Sequence, residues 1–109
     1  MVDVPAENNR RLHLREDVVA AHCQKLRETL RAQIDSGTQH LTLDFETVKM
    51  VDSAGIGLLI ATHNSLRSRA GELALVNCSL DLLELFRSMC LHQHMRVEGA
   101  STSAGESQS

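Results

Sequence analysis

Leu41, Leu43 and Phe45 alternate with Thr42 and Asp44. A period of two marks a strand with one buried face. Upstream, Val19, Cys23, Leu26, Leu30 and Ile34 recur at helical spacing, while Lys25, Arg27, Glu28 and Arg31 fall off that stripe. This predicts an amphipathic helix over 17–35, with Asp17 placed to cap its start and Gly37 just past its end. Downstream, Val48 to Val51 leads to Asp52, and a second helix is predicted over 54–70. Its inward side is Leu58, Leu59, Thr62 and Leu66, and Gly71 stops it. Residues 72–76 form a short, largely apolar run of the kind found inside sheets. A third helix starting at Ser79 or Asp81 turns Leu82, Leu83, Phe86 and Met89 or Cys90 inward, and 95–98 adds a last strand. At the other end, Leu12 and Leu14 alternate with Arg11, His13 and Arg15. Val2 and Val4 flank Asp3, and Pro5 with Asn8-Asn9 reads as a turn. An edge hairpin from Val2 to about Leu14 is the expectation.

Strands alternating with helices imply an α/β layered domain, here a mixed, partly parallel sheet of four to five strands covered by three to four helices. Residues 1–98 are read as this one domain and 99–109, rich in Ser and Gly, as a disordered tail. A length of 109 residues fits a single domain.

Composition then narrows the function classes. Only Phe45 and Phe86 are aromatic, so the core is aliphatic and almost no flat rings are available for stacking on bases. A net charge of −3 leaves no basic footprint for nucleic acid. No apolar run reaches the roughly 18–20 residues of a membrane span, and no basic-then-apolar leader opens the chain. Three cysteines, Cys23, Cys78 and Cys90, form no paired framework; they read as small buried hydrophobes in a reducing compartment, the cytoplasm. The six histidines, His13, His22, His40, His63, His92 and His94, are scattered, and read as surface or interface residues rather than a metal site. Neither metal nor other cofactor is expected.

The chemistry concentrates at Val51-Asp52-Ser53-Ala54-Gly55-Ile56-Gly57, where strand pattern gives way to helix pattern. By position Ser53 is a helix N-cap. Two glycines in the first turns weaken a helix start, which points to close backbone approach by a neighbouring element or a partner. A phosphate on Ser53 would join Asp52 and Asp44 in concentrating negative charge on one rim, although Asp44 also suits the plainer task of satisfying backbone groups at a strand end. The hydrolase elbow G-x-S-x-G has Val51 for its first Gly, and the dinucleotide loop that would begin at Gly55 and Gly57 has Ile60 in its third place. Nothing besides Ser53 offers a nucleophile with a base, so no enzyme activity is expected.

Leu41 to Phe45, Val51 to Leu59 and Leu73 to Val76, with the helix 80–90 and a final strand, closely resemble a STAS domain of the anti-sigma factor antagonist branch, over roughly residues 10–98. The resemblance implies a partner switch. The dephosphorylated form binds an anti-sigma factor that is also a serine kinase of the histidine-kinase-like ATPase fold, and so releases its target. That kinase phosphorylates the serine, and a PP2C-type phosphatase restores it. Ser53 matches the phosphoacceptor; Asp44, Asp52, Ser53, Ala54, Gly55, Ile56 and Gly57 form the implied contact surface, on a monomer or weak dimer. The family's G-E-L-D before the first helix is here Arg15-Glu16-Asp17-Val18-Val19. That departure keeps open a phosphorylation-independent accessory or scaffold subunit of a transport or signalling complex.

Overall fold

A computed structural model describes residues 8–100. The Val2–Pro5 arm of the expected hairpin and the tail beyond Ala100 lie outside the described residues. Four strands and three helices alternate: β1 (Asn9–His13), α1 (Ala20–Asp35), β2 (His40–Asp44), α2 (Ser53–Arg67), β3 (Glu72–Cys78), α3 (Leu80–Ser88) and β4 (Arg96–Gly99), with one 3-10 turn at Leu91–Gln93. Among the described residues the strands form one sheet in the order β1-β2-β3-β4, and every pairing is parallel. The expected mixed sheet is therefore parallel throughout. Gly99, expected in the tail, closes β4, and Ala100 N–H donates to Cys78 O at 3.1 Å.

The register explains why the sheet has one oily face. Leu12 pairs with Leu43, Leu43 with Leu75 and Leu75 with Val97, so one row of aliphatic side chains crosses all four strands. The row beside it, Arg11, Thr42, Ala74 and Arg96, points the other way and is exposed or half-buried. A period of two thus survives in a parallel sheet because helices cover only the aliphatic face. Onto that face pack Cys23, Leu30 and Ile34 of α1, Ile56, Leu59 and Leu66 of α2, and Leu82 and Phe86 of α3. Phe86 meets Phe45 edge to face, with ring centroids 5.6 Å apart. The two aromatic residues of the chain thus share one contact.

Two inward expectations at the end of α3 fail for one reason. The helix stops at Ser88, and Cys90 takes a left-handed backbone (φ 62°), which swings Met89 and Cys90 out to solvent. Cys23 and Cys78 are buried as expected. His63, read as a surface residue, is instead buried on the inner side of α2. No helix among the described residues is long and apolar enough to cross a membrane.

Candidate functional site at the start of helix α2

The chain leaves β2 at Asp44 and reaches α2 through residues 45–52. This connection is fastened to the segment before α1 by a short backbone zip. Val18 N–H donates to Met50 O at 3.0 Å, and Asp52 N–H to Val18 O at 3.2 Å. Val18 and Val51 form an isolated parallel bridge. Asp17, expected to cap α1, accepts instead from Lys49 N–H (2.8 Å) and Met50 N–H (3.3 Å) through Oδ1. Helix α1 begins three residues later than the pattern implied, after Val19, and no side chain of its own caps it.

Asp52 makes up that lack. Its Oδ1 accepts from Gly55 N–H at 2.9 Å, which makes it the N-cap of α2. Its Oδ2 accepts from Ala20 N–H at 2.9 Å, the first residue of α1. One carboxylate therefore satisfies free N–H groups at two helix starts, where the helix dipoles also favour negative charge. Those bonds, from Ala20 and then Gly55, hold the Asp52 carboxyl below its ordinary range. The cap is thus Asp52 and not Ser53, which is the first residue of the helix proper.

Freed from capping, Ser53 is exposed, and among the described residues its hydroxyl makes no hydrogen bond. Ala54 and Gly57 are exposed with it, and Asp52 is half-buried. Met50 (59% exposed) and Ile60 (39%) add uncovered apolar surface before and after them. The two glycines do different work. A Cβ on Gly55 would lie 2.2 Å from Val18 O, so its absence lets α2 sit against the zip. A Cβ on Gly57 would meet nothing within 4 Å. Ile56 is buried and anchors the first turn in the core.

Asp44 is engaged within the sheet. It is 5% exposed and fully engaged: Arg11 donates to Oδ2 at 2.9 Å, while Asn77 (3.0 Å) and Glu46 N–H (2.9 Å) donate to Oδ1. Burial pushes its carboxyl up, but these donors and the Arg11 charge outweigh it and bring it to about 2. Its task is the plainer one, tying together the ends of three strands. His13, Asp44 and Glu46 bring one possible metal-ligand atom each within 4.8 Å of one another. The Arg11 guanidinium on the same Asp44 oxygen disfavours a cation there.

The rim can thus present an accessible hydroxyl beside a fixed carboxylate on a smooth, small-residue helix start. Among the described residues no imidazole or amine hydrogen-bonds Ser53, and both Asp52 oxygens are taken by backbone N–H groups. Sequence reasoning found the segment but missed the division of labour inside it. The signal was present in Asp-x-x-Gly, a cap residue three places before the N–H it serves, yet the adjacent serine competes for the same role.

Comparison with known proteins bears on the fold and the family. The chain is 30% identical over 69 residues to the Bordetella bronchiseptica protein named "Putative anti-sigma factor antagonist BtrV", a match spanning 63% of this chain and 60% of that protein's length. A Thermotoga maritima crystal structure named as a "putative anti-sigma factor antagonist" superposes with a TM-score of 0.79 at 15% identity, covering 84% of this chain and 79% of that one. The Bacillus cell fate determinant SpoIIAA in its phosphorylated form gives a TM-score of 0.67 at 18% identity, over 89% and 88% of the two chains. Likeness at these identities establishes the shared architecture. Membership rests on the STAS domain profile, which matches residues 4–104 and so takes in every strand and helix described above; the chain belongs to the STAS domain family.

Proposed function

We propose that this protein is an anti-sigma factor antagonist of the partner-switching kind, with Ser53 as its phosphoacceptor. The observation that carries the reading is the exposed, unbonded hydroxyl of Ser53 beside a cap whose work Asp52 already does. A phosphate can be added there without removing a bond the fold needs. It brings a charge of about −1.5 to −2 next to the Asp52 carboxylate. A partner face that fits the neutral surface of Ser53, Ala54 and Gly57 then meets a concentrated negative charge, and binding fails while folding survives.

In this reading the dephosphorylated form captures an anti-sigma factor that is also a serine kinase of the histidine-kinase-like ATPase fold, releasing that kinase's target in the cytoplasm. The kinase supplies ATP and Mg²⁺ and modifies Ser53; a PP2C-type phosphatase removes the phosphate. Ser53, Ala54, Gly57 and Asp52 form the contact surface, while Gly55 and Ile56 hold it in shape from beneath. The name of BtrV and the existence of a phosphorylated SpoIIAA of the same fold support the reading.

The test mixes the protein with its cognate kinase and ATP and reads Ser53 by mass spectrometry, alongside capture of the kinase by Ser53→Ala and Ser53→Asp. Ser53→Ala should bind constitutively and Ser53→Asp should bind weakly. An unmodified Ser53 with a kinase shown to be active, or two variants that bind like the wild type, overturns it. Stable co-purification with a larger complex whatever stands at position 53 would indicate an accessory subunit instead.

A further inference from the structure

Helices α1 and α2 are fastened side by side at both ends. Asp52 holds their starts. At their far ends Arg69 donates to Ile34 O at 3.2 Å and pairs with Asp35 at 3.7 Å. Between them, away from the sheet, runs a cleft of about 180 Å³. Its floor is mostly apolar, formed by the buried Leu30, Ile34 and Leu58 with Thr62, whose hydroxyl is spent on Leu58 O at 2.8 Å. On the α2 side Ala61 and Ser65 are short enough to keep it open, and Arg27 and Arg31 line the α1 side.

The charges here do not balance within the chain. Asp35, the carboxylate in the lining, is taken by Arg69. Arg27 makes only a long 3.5 Å hydrogen bond to Gln24, and neither Arg27 nor Arg31 forms an ion pair among the described residues. Like charges four residues apart on a helix repel, so this pair brings α1 no stability of its own. The concentration of positive charge is local, in a chain whose net charge is −3.

We infer that this cleft binds a small organic phosphate, its head between Arg27 and Arg31 and a short apolar arm on Leu30, Ile34 and Leu58. Two guanidinium forks borne one helical turn apart suit a tetrahedral dianion, which offers oxygens to both, better than a single carboxylate. The apolar floor selects against bare inorganic phosphate. The small volume limits the arm to a few carbons, as in a soluble phosphate ester rather than a lipid tail. The inference is independent of the role of Ser53.

Amide and arginine Nε–H shifts of the isotope-labelled full chain, titrated with n-butyl phosphate, inorganic phosphate and n-butanol, test it. n-Butyl phosphate should saturably shift Ala61, Ser65 and the two arginine signals, bind several-fold more tightly than inorganic phosphate, and far outbind n-butanol. The exposed double substitution Arg27→Gln/Arg31→Gln should weaken it by about tenfold or more, as expected for lost charge-assisted bonds, with the rest of the spectrum unchanged. Equal binding of the ester and inorganic phosphate, no saturable shift at these positions, or undiminished affinity in the double variant overturns the inference. So does binding to vesicles containing phosphatidic acid without binding to n-butyl phosphate.

Discussion

Replacing Gly57 and Gly55 in turn by alanine separates a glycine kept for the fold from one kept for something outside it. Gly57 lies inside α2 on its exposed side, and an added Cβ there meets nothing within 4 Å. An exposed helical glycine is worse than alanine by about 0.5–1 kcal/mol. Gly57→Ala should therefore stabilise the protein by about that amount, or raise Tm by about 2–5 °C for a domain of this size. At Gly55 the same methyl would stand 2.2 Å from Val18 O, 2.9 Å from Val18 Cγ1 and 3.0 Å from Val51 Cγ1. Val18 O is held in place by Asp52 N–H, so backbone must move, and overpacking of this kind costs about 1–3 kcal/mol. The chain has neither Trp nor Tyr, so urea unfolding is best followed by far-UV circular dichroism. Opposite shifts of the midpoint are expected. In parallel, if the proposed function holds, Gly57→Ala should weaken capture of the proposed kinase partner even as it stabilises the fold. A destabilised Gly57→Ala, a Gly55→Ala as stable as the wild type, or a stabilised Gly57→Ala that binds its partner unchanged would refute the reasoning.

Three further outcomes are expected. Asp52→Ala removes the acceptor for two helix starts at once, so hydrogen exchange should accelerate at both Ala20 and Gly55, whereas Ser53→Ala should leave both protected. His63 is buried with Nδ1 unpartnered, and burial, then the charge of Arg67, then His94, hold its pKa below the ordinary value of 6.5. The unfolded chain then binds the proton more readily, so stability should fall as pH drops below about 6.5, and His63→Leu should flatten Tm between pH 7.5 and 5. Cys90 sits at φ 62°, where a Cβ is strained and glycine is not. Cys90→Gly should raise stability by about 1 kcal/mol in the same urea assay.

Most of the fold was legible because each element carries its own period. The stripe Cys23, Leu30 and Ile34, the alternation at Leu41 and Leu43, and the inward set Leu58, Leu59, Thr62 and Leu66 are all buried as their spacing required. What stayed hidden depends on contacts between residues far apart in the chain. Asp17 reads as a cap for the helix that follows it, and Ser53 rather than Asp52 reads as the cap of α2. Only the zip between Val18 and residues 50–52 decides that Asp17 serves residues 49 and 50, while Asp52 reaches back 32 residues to Ala20. Asp44 left two readings open, an acidic rim or a strand-end tie, because its donors, Arg11 and Asn77, come from neighbouring strands that the sequence does not bring together. Cys90 looked buried because its spacing continues the α3 stripe past the point where the backbone turns left-handed.

Strand order along the sheet repeats strand order along the chain. A polypeptide emerging from the ribosome can therefore build this sheet by accretion, each new strand adding beside the one made before it. No later strand has to be inserted between two already paired, so no early pairing must open for synthesis to continue. Each pairing is nonetheless parallel and must close a helix-bearing crossover, a slower step than forming purely local contacts. The vulnerable moment falls between β2 and β3, when Leu41 and Leu43 are made but the strand bearing Leu73 and Leu75 has yet to cover their edge.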